Sequence, residues 1–176
     1  MRKIEVRISG LGGQGVVLAG QILGKAAVYG GKNAVQTQSY GAEARGSVAK
    51  SEVIISDDNI GFPAVRKCDV LVAMNQEALD RHFKDLKENG LLIVDSTYVK
   101  KIPETKAKTF KVPATENAEK LFKTKIYANM IMLGALAKVT RLIDENALLR
   151  AIEDTVTEDL VSANKQAFKK GEELVQ

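Results

Sequence analysis

The chain has 176 residues, of which 45% are hydrophobic and 27% are charged, and its formal net charge is +4. This length and composition fit one α/β domain with a full core, and no apolar run approaches the roughly 20 residues that cross a bilayer. The only cysteine, Cys68, excludes an internal disulfide, a cysteine-ligated iron–sulfur cluster and a structural zinc site. With one histidine besides, the chain carries little catalytic chemistry of its own.

Other partners are excluded by local composition. The lysine-rich stretches hold few aromatic residues and alternate with acids or threonines, which is typical of a solvated surface and not of a nucleic-acid site. The N-terminus leads directly from Met1-Arg2-Lys3 into a strand pattern and does not resemble a signal peptide. We therefore expect a cytoplasmic protein that binds neither nucleic acid nor membrane.

A strand, a glycine-rich turn and a helix form the first predicted unit. Residues 4–8 alternate apolar and polar side chains, a Gly-x-Gly-x-x-Gly turn follows, and an apolar helix begins at Val16. This order is the opening of a Rossmann-like, nucleotide-binding βαβ unit, in which the first N–H groups of the helix form an anion site. The predicted ligand contacts in the turn are Gly10, Gly12, Gly13, Gln14 and Gly15.

Each glycine has an expected role. We expect Gly10 to take the tight turn, Gly12 and Gly13 to let a ligand approach the backbone, and Gly15 to let the helix pack on the strand. Such a pattern also occurs in turns that bind nothing. A dinucleotide site further needs an acidic residue at the end of the second strand, but that strand, residues 33–38, ends in Gln38. No tight NAD or FAD site is expected.

A polar loop with two glycines follows the second strand. It leaves the carboxyl end of that strand beside the glycine turn, where ligands bind in open α/β sheets. Its arginine offers a planar fork suited to a phosphate or a partner carboxylate. The predicted contacts in this loop are Ser39, Tyr40, Gly41, Glu43, Arg45 and Gly46.

The middle of the chain predicts a mixed, mainly parallel sheet. Residues 48–56 read as a strand that follows the second strand without a helix, so it should run antiparallel to a neighbour. Residues 70–74 and 91–95 are apolar runs typical of strands buried on both faces. The polar residues that follow these runs, Asn75 and Ser96, should lie at the same edge of the sheet as the glycine turn.

Helices and caps complete the prediction. Asn75 should cap a helix that runs to about Lys87 and ends at Asn89-Gly90, with His82 on its solvated face and Cys68 in the core. Residues 108–112 read as a short strand, and a helix should start near Pro113. The apolar helix over 127–137 must be buried, and its polar Asn129 needs a partner. Further caps are expected at Asp144 and in a Thr155-x-x-Glu158 capping box.

Taken together, these motifs resemble the gamma subunit of the 2-oxoacid:ferredoxin oxidoreductases. The resemblance rests on Gly10–Gly15, the 39–47 loop, the segment from Asp69 to Gln76 and the buried helix around Asn129, and it covers essentially the whole chain. It implies a three-layer α/β/α domain over residues 1–176. It also implies a complex that converts a 2-oxoacid, coenzyme A and oxidised ferredoxin to acyl-CoA, carbon dioxide and reduced ferredoxin.

The resemblance also implies a division of labour. Thiamine diphosphate with magnesium lies between the alpha and beta subunits, and a ferredoxin-like delta subunit carries the iron–sulfur clusters. The gamma chain binds no cofactor alone. It either closes the active site or helps hold coenzyme A, and the glycine turn, the 39–47 loop, Asn75, Ser96 and Asn129 are its expected site residues.

Several alternatives stay open at this stage. The Ser9-Gly10-Leu11-Gly12 entry resembles the 2-oxoglutarate branch more than the pyruvate branch, and the related subunit of indolepyruvate oxidoreductase is a further possibility. Outside the family, the chain could be a stand-alone nucleotide-binding module or a non-catalytic scaffold.

Overall fold

The computed structural model describes residues 3–41 and 47–175. The strands are β1 (Ile4–Leu11), β2 (Asn33–Ser39), β3 (Val48–Ser56), β4 (Cys68–Ala73), β5 (Leu86–Asp95) and β6 (Lys108–Val112). The α-helices are α1 (Val16–Tyr29), α2 (Gln76–His82), α3 (Ala114–Phe122), α4 (Ala128–Thr140), α5 (Glu145–Glu153) and α6 (Glu158–Glu173).

One sheet holds the six strands together, in the order β2-β3-β1-β4-β5-β6. β3 runs antiparallel to β1 and β2, whereas the pairs β1–β4, β4–β5 and β5–β6 are parallel. The predicted mixed, mainly parallel sheet is therefore confirmed. Because the first residue of β3, Val48, pairs with the last of β1, Leu11, the entry to β3 lies beside the carboxyl end of β1.

Both faces of the sheet are buried, which explains the continuous apolar runs in β4 and β5. Val70, Val72 and Ile93 belong to the core on the face covered by α1 and α4. Leu71 and Leu92 belong to the core on the other face, which α2 covers. Alternate residues thus enter different cores, and the fold has the predicted three layers of α/β/α.

The helix α4 crosses α6 at two glycines. Residues 128–136 of α4 are all buried, as its apolar sequence required. A Cβ on Gly134 would collide with the backbone carbonyl of Phe168, and one on Gly171 with that of Ile131. The two helices therefore approach more closely than they could with any residue larger than glycine at these positions.

The helix after Asn75 is shorter than predicted. α2 ends at His82, a 3-10 turn spans Phe83–Asp85, and β5 begins at Leu86. Asn89 and Gly90 consequently lie inside β5 and do not end a helix. The prediction failed because Asn-Gly, a common helix end, here occupies a strand irregularity.

That irregularity is a shift of register between β4 and β5. Cys68 pairs with Leu86, but Val70, two residues on, pairs with Leu91. The intervening residues of β5 bulge against β4, and a Cβ on Gly90 would come within 2.8 Å of the Asp69 carbonyl oxygen. Glycine is required there by close backbone approach.

The predicted capping box before the last helix is wrong. Thr157 precedes α6, and its side chain makes no capping hydrogen bond. The hydroxyl of Thr155 instead donates to the carbonyl oxygen of Ala151 at 2.6 Å. The Asp144 cap is confirmed, since its carboxylate accepts from the backbone N–H of Asn146 at 2.9 Å.

His82 is buried, contrary to the prediction, because the face of α2 that carries it packs on the sheet. Its Nδ1 lies 3.5 Å from Nη1 of Arg7, a residue of β1 that donates to Asp85 at 2.6 Å. Burial, followed by the nearby Arg7 charge, lowers the pKa of His82 to about 4. Cys68 is fully buried as predicted, and burial raises the pKa of its thiol to about 11.

Candidate functional site

A cleft of about 420 Å³ opens at the carboxyl edge of the parallel strands. The glycine turn forms one wall, the β4–α2 junction forms the floor, and the start of α3 with the α3–α4 connection forms the other wall. The lining residues are Leu11, Gly12, Gly13, Gln14, Met74, Asn75, Tyr98, Thr115, Lys125, Ile126 and Ala128. This is the edge of the sheet at which a ligand site was predicted from the sequence.

The turn begins at Gly12, two residues later than predicted. Gly10 lies within β1, opposite Ala49, and does not take the tight turn. A Cβ at Gly10 would lie 2.8 Å from Oε1 of Gln14 and 3.2 Å from Cβ of Met74. Its small size is needed because Gln14 folds back over the strand.

The remaining glycines of the turn differ from one another. Gly13 and Gly15 have positive φ angles of 93° and 74°, in the left-handed region that favours glycine. Gly12 has an ordinary φ, and no atom of the described residues lies within 4 Å of the position its Cβ would take. Gly12 is therefore the position where the turn could carry a side chain, and that side chain would enter open space at the cleft.

Gln14 is bonded within the protein. Its Oε1 accepts from the backbone N–H of Leu11 at 2.7 Å and from Nδ2 of Asn75 at 3.1 Å. Its Nε2 donates to the carbonyl oxygen of Met74 at 3.3 Å. The side chain thus ties the glycine turn to the end of β4.

Asn75 caps α2, as predicted from the sequence. Its Oδ1 accepts from the backbone N–H of Ala78 at 2.8 Å, while its Nδ2 is the donor to Gln14. The residue is 7% exposed, although it lines the cleft. Its polar atoms serve the floor of the cleft and not an incoming ligand.

The opposite wall is held by Asp95, whose role the sequence analysis missed. This fully buried carboxylate ends β5 and accepts from the hydroxyl of Thr115 at 2.6 Å and from its backbone N–H at 3.1 Å. It also accepts from the backbone N–H of Thr97 at 3.0 Å. A carboxylate directly after a buried apolar run was the signal for a structural role of this kind.

Lys125 and Tyr98 form the mouth of the cleft, and the sequence analysis singled out neither as a site residue. Nζ of Lys125 donates to the Tyr98 hydroxyl at 3.0 Å and lies 5.7 Å from the centre of its ring. This hydrogen bond, with the nearby Glu119, raises the pKa of Lys125. Among the lining residues in the described part of the chain, Lys125 is the one with a charged side chain.

Some of the predicted site residues do not line the cleft, among them Ser39, Tyr40, Gly41, Ser96 and Asn129. Ser39 ends the edge strand β2, and Tyr40 is exposed. Ser96 follows β5, and its N–H donates to the Val112 carbonyl oxygen at 2.9 Å. Asn129 is buried and donates to the carbonyl oxygen of Gly15 at 3.1 Å, which supplies the partner that its position in α4 required.

Ser47, the last residue of the 39–47 loop, lies beside the glycine turn, since the N–H of Gly12 donates to the Ser47 carbonyl oxygen at 3.1 Å. The predicted contacts Glu43, Arg45 and Gly46 lie outside the described residues. Within residues 3–41 and 47–175, no group of three His, Cys, Asp or Glu side chains could hold a metal ion. In the same part of the chain, no helix is long and apolar enough to cross a membrane.

Comparison with known proteins decides the family. Residues 5–174 match the family described as pyruvate ferredoxin/flavodoxin oxidoreductase. The chain belongs to this family. Within it, the chain is 48% identical to the 2-oxoglutarate synthase subunit KorC of Methanocaldococcus jannaschii, over 99% of this chain and 94% of that protein. It is 33% identical to the pyruvate synthase subunit PorC of Thermotoga maritima, over 97% and 94% of the two chains.

Solved structures of the family share the fold. The gamma subunit of a keto/oxoacid ferredoxin oxidoreductase from Geobacter sulfurreducens is 43% identical, with a TM-score of 0.88 over 98% of both chains. A 2-oxoglutarate:ferredoxin oxidoreductase from Magnetococcus marinus is 24% identical with a TM-score of 0.89, and this fold matches 31% of its longer chain. The predicted resemblance to gamma subunits is confirmed, and the relatives of this chain are subunits of 2-oxoacid:ferredoxin oxidoreductases.

Proposed function

We propose that this chain is the gamma subunit of a thiamine-diphosphate-dependent complex that oxidises 2-oxoglutarate. The reaction converts the 2-oxoacid, coenzyme A and oxidised ferredoxin to succinyl-CoA, carbon dioxide and reduced ferredoxin. Sequence identity supports this substrate, because the chain is 48% identical to a 2-oxoglutarate synthase subunit and 33% identical to a pyruvate synthase subunit. The preference agrees with that predicted from the Ser9–Gly12 entry.

The partners in this proposal are alpha, beta and ferredoxin-like delta subunits, with ferredoxin as the electron acceptor. Thiamine diphosphate, magnesium and the iron–sulfur clusters belong to the partner subunits. The single cysteine of this chain, Cys68, is buried and has a raised thiol pKa, so the chain cannot supply the ligands of an iron–sulfur cluster. The chain itself forms one domain of the assembly and works in the cytoplasm.

The cleft beside the glycine turn is the proposed contact with coenzyme A. The observation that carries this proposal is the backbone of Gly12, which no described side chain covers, together with Lys125 at the mouth of the cleft. The pantetheine arm of coenzyme A is a chain of amides and methylenes that suits a backbone wall, and its phosphates suit a lysine ammonium. The Magnetococcus marinus structure holds coenzyme A and succinyl-CoA, which makes coenzyme A the ligand to test first.

Gly12→Val is the variant that tests this contact in the reconstituted complex. The added side chain projects into the open space beside the turn without a positive φ to strain it. We expect the KM for coenzyme A to rise at least about tenfold, because the valine side chain would keep the pantetheine arm of coenzyme A from approaching the backbone of the turn. Gly61→Val is the matched control, since Gly61 is also open and ordinary in φ but does not line the cleft.

The outcomes separate the alternatives. Equal KM values for coenzyme A in both variants would exclude the contact. Loss of assembly in Gly12→Val with an unchanged KM would make the turn a subunit contact that closes the active site. Purification of the native chain without alpha and beta subunits, but with a bound nucleotide, would favour a stand-alone binding module.

A further inference from the structure

A network of four hydrogen bonds runs from the glycine turn to the first turn of α2. Gln14 Oε1 accepts from Leu11 N–H and from Asn75 Nδ2, and Gln14 Nε2 donates to the Met74 carbonyl oxygen. Asn75 Oδ1 accepts from Ala78 N–H at 2.8 Å. Gln14 lies on the turn and Asn75 at the floor of the same cleft, so this network spans the corner between them.

The chemistry of the network permits one orientation of each amide. If the Gln14 amide were reversed, its NH₂ group would face the Leu11 N–H, and its oxygen would face the Met74 carbonyl oxygen. If the Asn75 amide were reversed, its NH₂ group would face the Ala78 N–H. Because every contact pairs one donor with one acceptor, the bond between the two side chains fixes the distance between the turn and α2.

We propose that Asn75 is a positioning residue. It acts through Gln14 to hold the glycine turn in the position in which the backbone of the turn contacts coenzyme A. This inference rests on the proposed function of the cleft. It differs from a direct contact, because both polar atoms of Asn75 are already used within the protein and the residue is buried. Its side chain sets the position of the wall and does not touch the ligand.

Asn75→Asp separates positioning from folding. Aspartate caps a helix as well as asparagine, so α2 keeps its bond from Ala78. The second carboxylate oxygen would face Gln14 Oε1, however, and two acceptors cannot form a hydrogen bond. The variant therefore removes the bond between α2 and the turn and leaves the cap.

In the reconstituted complex, Asn75→Asp should raise the KM for coenzyme A about tenfold, the usual effect of one lost hydrogen bond to an essential geometry. The KM for 2-oxoglutarate should stay near that of the wild type, whereas the melting temperature should fall by a few degrees, because the new carboxylate is buried against an acceptor. Asp144→Asn is the matched control, because it makes the reverse exchange at the cap of α5, away from the cleft. It should change none of these values.

The results decide between the two proposals. If Gly12→Val raises the KM for coenzyme A but Asn75→Asp does not, positioning is overturned and the coenzyme A cleft stands. If neither variant changes it, the cleft proposal fails first. Equal rises in the KM for both substrates would make Asn75 merely structural. Should Asn75→Asp fail to assemble, Asn75→Ser decides by the same criteria, since serine also caps a helix but has no amide group to donate to Gln14.

Discussion

Asn129 and Gly15 lock the start of α1 to the start of α4. Nδ2 of Asn129 donates to the carbonyl oxygen of Gly15 at 3.1 Å, across 114 residues of chain. A Cβ on Gly15 would collide with that amide nitrogen, and the φ of 74° at Gly15 disfavours any side chain. The last glycine of the turn is therefore required by packing and by backbone conformation together.

Gly15→Ala should lower the free energy of unfolding by about 1–3 kcal/mol from backbone strain alone, and further from the collision with Asn129. Gly12→Ala, three residues earlier, should change it by less than about 1 kcal/mol, because its φ is ordinary and the space is open. Urea unfolding of the two variants checks this. Equal losses of stability in the two variants would contradict the strained backbone and the close contact at Gly15.

Gly134→Ala and Gly171→Ala should each destabilise the fold by at least about 2 kcal/mol. In each case the new methyl group meets a backbone carbonyl of the facing helix, at Phe168 or at Ile131, and a backbone cannot rotate away as a side chain can. Thermal unfolding measures the effect, with Gly61→Ala as the control at an open position. Wild-type stability in either helix variant would contradict the close crossing of α4 and α6.

The sequence predicts the strands that its local pattern fully determines. β3 and β6 have the predicted bounds, because residues 48–56 and 108–112 carry strand patterns that end at turn residues or at Pro113. The antiparallel direction of β3 also followed from the missing helix before it. These features depend on neighbouring residues alone.

Features that depend on distant contacts were not predictable in the same way. Asn89-Gly90 was expected to end a helix, but its conformation is set by the bulge against β4. In the site, Gln14 and Asn75 were expected as ligand contacts, and their shared hydrogen bond needs two segments that lie 61 residues apart. Lys125 reaches the cleft only because α3 and α4 turn back over the sheet edge.

His82 should make the protein less stable as the pH falls. Burial and Arg7 lower the pKa of His82 to about 4, below the value of about 6.5 expected in the unfolded chain. The unfolded state therefore binds a proton that the folded state does not, and the free energy of unfolding falls between about pH 6.5 and pH 4. Below pH 4 both states are protonated, and this loss, of about 3 kcal/mol in total, is complete.

Carboxylates also titrate in acid, so the effect of His82 is measured as a difference. Urea unfolding of the wild type and of His82→Gln at pH 7.5 and pH 4.5 should show a smaller loss of stability in the variant. The same loss in both proteins would mean that His82 is protonated in the folded state. Lys101→Gln is the control, because this exposed lysine is not among the charges that act on His82.

Lys125 should set the affinity for the anionic end of the ligand. Its ammonium group lies at the mouth of the cleft against Tyr98, and it is charged at neutral pH because its pKa is not lowered from the ordinary range of lysine. Lys125→Gln should raise the KM for coenzyme A several-fold and make this KM less sensitive to salt, because one screened charge pair is removed. Steady-state kinetics of the complex from 50 to about 500 mM salt measures both effects.

Two further variants test whether the charge at this position is what matters. Lys125→Arg keeps the charge and should stay close to the wild type, whereas Tyr98→Phe removes the hydroxyl that holds the lysine and should give a smaller rise in the KM. Lys120→Gln is the matched control, since this exposed lysine of α3 pairs with Glu116 and does not line the cleft. If Lys120→Gln and Lys125→Gln change the KM for coenzyme A equally, the effect belongs to the overall charge of the surface, and Lys125 has no particular role at the mouth of the cleft.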